Sequence, residues 1–277
     1  MILRIYTHTR IDKGFRMLSM WSAVQRGLLG GVFALGFVFG AQPAQAFNYH
    51  ELEVYPFQTE APGTWEFENY TLFSNGMQSG FGSAIVRDTL EINTGLTDSM
   101  ELAVYNDFER VEHGVMKYTA TRVRTHLSFF EKGELPVDLG AYFEFGLPVE
   151  GQTVWEFETK IILEKDLGRF TLSLNPIFEL ESEKEEKFDE NGVKSTEKEL
   201  EFEKAYAAAI SYRFSNTFLP KLSFFDQIAD ADERVSILFP SLDISLSPQW
   251  QVGVGAGFGL THAAEKRLAS IKLEYEF

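Results

Sequence analysis

From about residue 63 to the end of the chain, apolar and polar residues alternate in segments of ten or more, separated by turn-rich stretches. Alternation of period two places successive side chains on opposite faces of an extended strand. The clearest segment is 153–164, with Trp155, Phe157, Ile161 and Leu163 on one face and Glu156, Glu158, Lys160 and Glu164 on the other. The next repeats it, setting Phe170, Leu172, Leu174, Phe178 and Leu180 against Thr171, Ser173, Asn175, Glu179 and Glu181. In 250–260, the face opposite Trp250, Val252, Val254 and Phe258 carries Gln251, Gly253, Gly255, Gly257 and Gly259, which suits a wall crowded on one side.

Continued along the chain, the pattern predicts twelve strands, near 63–73, 83–96, 99–110, 116–130, 137–148, 153–165, 168–183, 198–214, 218–228, 234–247, 250–261 and 266–277. Connections after the second, sixth and tenth strands are short, whereas alternate ones include a long polar stretch, Ser182–Thr196. An even strand number with short turns at one end and longer loops at the other is the asymmetry of an outer-membrane barrel. The expected fold is therefore all-β, an antiparallel up-and-down transmembrane barrel with short periplasmic turns and longer external loops. A helical stripe does not follow period two. A soluble sandwich also alternates, but here the apolar face gathers aromatics near strand ends, among them Trp65, Phe73, Trp155, Tyr212, Phe214 and Trp250.

The N-terminal region carries a different signal. Arg16 and Arg26 precede an apolar run, Gly27 to Gly40, followed by Ala44-Gln45-Ala46, the small-x-small pattern of a signal-peptidase site. Residues 1–46 are expected to be a signal peptide cleaved near Ala46, residues 47–62 a periplasmic lead-in, and residues 63–277 the barrel. Export then delivers the protein to the outer membrane of a Gram-negative bacterium. The full chain has 41 acidic and 25 basic residues; removing residues 1–46 takes away one acid and five bases, leaving 40 and 20, a formal −20. That balance argues against nucleic acid, whose phosphates need clustered Lys and Arg.

The last strand places Ala269, Ile271, Leu273, Tyr275 and Phe277 on one face and ends on Phe277 itself. Termini of soluble domains are usually frayed, whereas an apolar face running to the final residue, with Tyr275 and Phe277 at the third-last and last positions, reads as a signal for the barrel-assembly machinery. The segments TLEINTGLTDSMEL (89–102), AISYRFS (209–215) and the end of the chain resemble the outer-membrane transporter barrels grouped with phenol meta-cleavage pathway proteins. The resemblance extends over most of the mature chain. It implies transport and assigns no site residues.

With apolar faces toward lipid, the opposite faces line the lumen. These are Glu66, Glu68, Arg87, Glu91, Glu101, Asp107, Arg122, Arg124, His126, Glu144, Glu156, Glu158, Lys160, Glu179, Glu181, Arg213, Lys272 and Glu274. A carboxylate-rich lumen attracts cations, and an opposed row of bases sets a transverse field. The expected function is a channel or transporter-like barrel for small solutes. The alternative is a closed structural or interaction barrel, since paired charges can fill a small lumen. A lipid-modifying enzyme built on His126 and Ser128 is a weaker alternative, because an isolated Ser/His pair lacks surrounding motif. No cofactor, catalytic residue or metal site is expected. The expected partners are outer-membrane lipid and lipopolysaccharide, the assembly machinery and the solute.

Overall fold

The computed structural model describes residues 52, 54–75, 84–110, 114–149, 153–188, 194–229 and 232–277. The signal peptide expected over residues 1–46 lies outside the described residues. Twelve strands follow in chain order: β1 Trp65–Asn75, β2 Ala84–Thr97, β3 Met100–Arg110, β4 Lys117–Ser128, β5 Asp138–Pro148, β6 Thr153–Leu167, β7 Phe170–Phe188, β8 Lys194–Tyr212, β9 Phe218–Gln227, β10 Ser236–Ser245, β11 Trp250–Gly259 and β12 Arg267–Glu276. Each pairs antiparallel with its sequence neighbours, and β1 pairs with β12 to close the barrel. Closure leaves no unpaired edge along the wall, which a sheet in lipid requires because hydrocarbon offers no hydrogen-bond partner. Among the described residues there is no helix.

The seam forms at the end of the chain. Phe277 donates its amide to the Trp65 carbonyl at 2.8 Å and accepts from the Trp65 amide at 3.3 Å. Its ring stacks on Tyr275 at 5.9 Å, and Tyr275 packs on Trp250 at 4.5 Å. Phe170 on Tyr212 extends the aromatic belt at this end, while Phe145 with Trp155 and Phe178 with Phe202 lie farther along the barrel. Two aromatic levels flanking an apolar band mark the two interfaces of a spanning barrel.

Burial alternates along the strands. In β4 the pattern puts Ala120, Arg122, Arg124, His126 and Ser128 inside, with Val123 exposed outside. The outer face is thus apolar and the inner face largely ionic, the reverse of a water-soluble sheet.

The long polar connection expected at Ser182–Thr196 is largely strand instead. β7 and β8 continue their ladder to Phe188↔Lys194. The apolar–polar alternation fades there in the sequence, but the backbone pairing does not need it. At about 3.3 Å per residue and a tilt near 40°, nineteen residues rise well past an apolar band about 25 Å tall, so this hairpin projects beyond the wall.

Candidate functional site

The lumen contains chain. The segment before β1, expected to precede the barrel on the periplasmic side, enters it. Its exit is fixed at Gly95, where β2 bulges against β3. Gly63 donates to the Gly95 carbonyl at 2.9 Å, and the backbone of Ala61 crosses so closely that a Cβ on Gly95 would sit 2.5 Å from its carbonyl carbon. From there the segment runs back along the lumen toward the opposite end.

Its contacts come from the wall on every side. The Glu60 amide donates to Glu101 Oε2 on β3 at 2.9 Å, and the Phe57 amide to Glu164 Oε2 on β6 at 3.2 Å. Tyr55 is clamped by one side-chain amide on β7: its N–H donates to Asn175 Oδ1 at 2.7 Å, and Asn175 Nδ2 donates to its carbonyl at 3.2 Å. Deeper in, Leu52 and Val54 join a buried apolar cluster with Tyr70, Leu72, Ile177, Ala205, Phe225, Ile237, Phe239 and Leu268, drawn from six strands. These inward apolar residues interrupt the polar lining and form a collar around the segment.

Below the collar, toward the end holding Phe277, a cavity of about 530 Å³ reaches the rim. Its lining combines the segment's own Tyr55, Gln58 and Glu60 with Glu66, Glu68, Glu91, Glu101 and Glu274, and with Arg124, Lys132, Lys221 and Lys272.

The residues expected to line the lumen are placed as follows. Glu68, Glu91, Glu101, Asp107, Arg122, Arg124, His126, Glu144, Glu156, Glu158, Lys160, Glu179, Glu181 and Glu274 are buried, while Glu66, Arg87 and Lys272 are half-buried. Arg213 is exposed: the β7–β8 ladder ends at Phe170↔Tyr212, so Arg213 falls in the following connection, where it borders the lumen cavity at the rim.

The inward bases are paired with carboxylates. Arg122 bridges Asp107 at 2.6 Å and Glu144 at 3.1 Å; Arg124 bridges Glu91 at 2.6 Å and Glu101. His126 Nδ1 lies 3.8 Å from Glu101. Lys160 pairs with Glu158 at 3.0 Å, Lys272 with Glu274 at 2.5 Å and with Glu68 at 3.5 Å, and Arg87 with Glu265 at 3.2 Å. Bases concentrate on β4, whereas β6, β7 and β8 set carboxylates directly opposite one another, as in Glu156↔Glu181, Glu158↔Glu179 and Glu179↔Glu203.

Sequence reasoning missed the segment's Tyr55 and the inward aromatics that receive it, Tyr105 and Tyr142, and put Asn175 on the polar face without giving it a role. The segment has no period-two pattern to betray a role, and inward aromatics are indistinguishable by type from outward ones.

Comparison with known proteins adds three findings. The family described as "Putative MetA-pathway of phenol degradation" matches residues 57–277. No curated protein matches the chain in sequence. Among solved structures, an outer membrane channel from Pseudomonas putida superposes with a TM-score of 0.61 at 14% identity, covering 81% of this chain and 100% of that one. The KdgM porin in complex with disordered oligogalacturonate gives 0.53 at 8% identity, covering 77% and 99%. The β domain of a Bordetella autotransporter gives 0.50 at 12%, covering 79% and 99%. That breadth shows an outer-membrane barrel fold and leaves the activity to the lumen's own chemistry.

Proposed function

The chain belongs to the family of the MetA pathway of phenol degradation, and from that premise we propose that it is an outer-membrane channel for small solutes whose lumen is stoppered by its own residues 52–62. The KdgM porin and the Pseudomonas putida channel share the barrel, which supports this location and class of activity. The exported, cleaved form beginning near Phe47 is part of the same reading.

The carrying observation is how the segment is held. Tyr55, Phe57 and Glu60 hydrogen-bond to wall side chains that sit on separate strands. Contacts of this kind release one at a time and leave the barrel ladder intact, whereas a strand of the wall could not be withdrawn. The excess of inward carboxylates favours cations over anions in the opened lumen.

The dense ion pairing favours a second reading, a closed structural barrel in which segment and charges together fill the interior. Planar-bilayer conductance separates the two. The mature protein is expected to give small or rare openings, and a variant lacking residues 47–60 large, cation-selective ones. A truncated barrel that refolds yet stays silent would overturn the channel.

A further inference from the structure

The outer face is interrupted on β1 to β4. Asn69, Thr71, Asp88, Asn106 and Thr121 alternate with inward Tyr70, Arg87, Tyr105 and Arg122, so they point away from the lumen. The ladder gathers them into one patch: Thr71 faces Asp88 across β1 and β2, and Asn106 faces Thr121 across β3 and β4. The Asn69 amide donates to Asp88 Oδ1 at 3.0 Å and the Thr71 hydroxyl to the same oxygen at 2.6 Å, while Thr121 Oγ1 donates to Asn106 Oδ1 at 2.9 Å. Asp88 Oδ2 takes neither bond, and among the described residues no base forms an ion pair with it. Arg110, the outward base of β3, stands one outward step beyond Phe108, which faces Asp88. A carboxylate without a base is costly on a face that meets hydrocarbon.

The opposite side of the barrel carries the complementary charge. β8 stands six strands from β2 in the ring of twelve, and Lys204 lies between inward Glu203 and Ala205, so it points outward. Its ammonium sits 5.4 Å from the Phe202 centroid, and among the described residues no carboxylate forms an ion pair with it. Asp226 on neighbouring β9 is already held by Arg234 at 2.9 and 2.7 Å. The depths match. Lys204 is eight residues from the periplasmic end of β8 at Tyr212, and Asp88 nine from that of β2 at Thr97. At about 2.5 Å of rise per tilted residue, both stand about 20–23 Å above those ends. Each also lies one outward step to the midplane side of an aromatic: Lys204 below Phe202, and Thr71, which faces Asp88, below Phe73.

We propose that the Asp88 patch of one barrel docks on the Lys204 face of a second copy of this chain, so that barrels associate side by side in the plane of the membrane. Asp88 Oδ2 then receives the ammonium of the neighbouring barrel, and two charges that lack an opposite partner within one barrel satisfy each other between barrels. Because the two faces differ and lie on opposite sides, the contact is head-to-tail and does not close; it propagates as a row. The competing use of Lys204 is to reach lipopolysaccharide phosphate along its flexible stem, which leaves Asp88 unmatched.

The test uses the full-length protein in outer membranes, with heat-modifiable gel migration confirming each barrel. The chain has no cysteine, so Leu90→Cys and Ala208→Cys, one and two outward steps from the charges, are introduced together and treated with a short bifunctional maleimide. A ladder of dimer, trimer and higher species is expected, whereas either cysteine alone should give at most traces of dimer. In the two-cysteine chain, Asp88→Lys and Lys204→Asp should each lower the cross-linked fraction about fivefold, and the two reversals together should restore most of it. Absence of cross-links in the two-cysteine chain, or a ladder indifferent to both reversals, would overturn the contact. Equal dimer yield from a single cysteine would overturn it in favour of a two-fold arrangement. Loss with Lys204→Asp but not with Asp88→Lys would overturn it in favour of lipopolysaccharide. None of these outcomes bears on conductance, so the row and the channel stand or fall separately.

Discussion

Tyr55 is held by two kinds of contact that can be removed separately. Its ring packs on Tyr142 at 4.5 Å and its hydroxyl meets that of Tyr105 at 3.1 Å, while its backbone is bracketed by the Asn175 amide at 2.7 and 3.2 Å. Asn175→Ala removes both hydrogen bonds and leaves the ring pocket whole. At about 0.5–1.5 kcal/mol each, their loss should raise the open fraction roughly tenfold, read as open probability in bilayers. Glu60 acts through protonation. Its carboxyl is raised from the ordinary value of 4.5, first by burial and then by the Glu101, Glu276 and Glu274 carboxylates, against the Arg124 guanidinium. A carboxyl whose pKa rises on docking favours the docked state when protonated. Docking is thus strongest below pH 4.5, where the group is protonated docked or free, and weakens as pH climbs through the raised value. Open probability should rise over that window, and Glu60→Gln should flatten the rise and lower opening at neutral pH. An unchanged pH profile in Glu60→Gln would refute this role.

At the scale of elements, the wall was almost wholly legible. All twelve strands lie within a few residues of their predicted bounds except where β7 and β8 extend, because lipid outside and charge inside write the period directly into sequence. The extension escaped notice because alternation reports a difference between two faces, and beyond the membrane both faces meet water. The alternate glycines of β11 were read correctly as marking a crowded inner side. Phe239, facing inward from β10, covers Gly255 and Gly257: a Cβ on Gly255 would lie 2.7 Å from Phe239 Cζ and 2.8 Å from Ser270 Oγ, and one on Gly257 would lie 2.7 Å from Phe239 Cδ2. Gly255→Val is therefore expected to overpack the site and cost about 1–3 kcal/mol. The readout is a lower temperature at which the folded band is lost in heat-modifiable gels. In a Phe239→Ala background the further cost of Gly255→Val should largely vanish, and an undiminished cost there would mean the glycine serves something other than the ring.

The whole molecule joins a legible frame to an illegible occupant. Most inward charges were found by parity alone, yet the segment among them depends on contacts such as Tyr55 with Asn175, 120 residues apart, which no local pattern encodes. What parity does supply is the set of inward charges on which the proposed selectivity rests. Arg122 and Arg124 each face two carboxylates, and Lys160 and Lys272 are also paired. The facing rows on β6, β7 and β8, including Glu156, Glu179 and Glu203, add carboxylates for which Lys160 is the nearby base on those strands. On the proposed channel reading this surplus of inward carboxylates makes the lumen negative, and opened channels should then pass potassium ahead of chloride. Under a tenfold KCl gradient, the reversal potential should lie toward the potassium equilibrium value. At 1 M salt, where the screening length falls to about 3 Å, the preference should shrink. Anion preference in the wild-type channel would show that the bases on β4, and not the carboxylates of β6 to β8, set the field along the path the ions take.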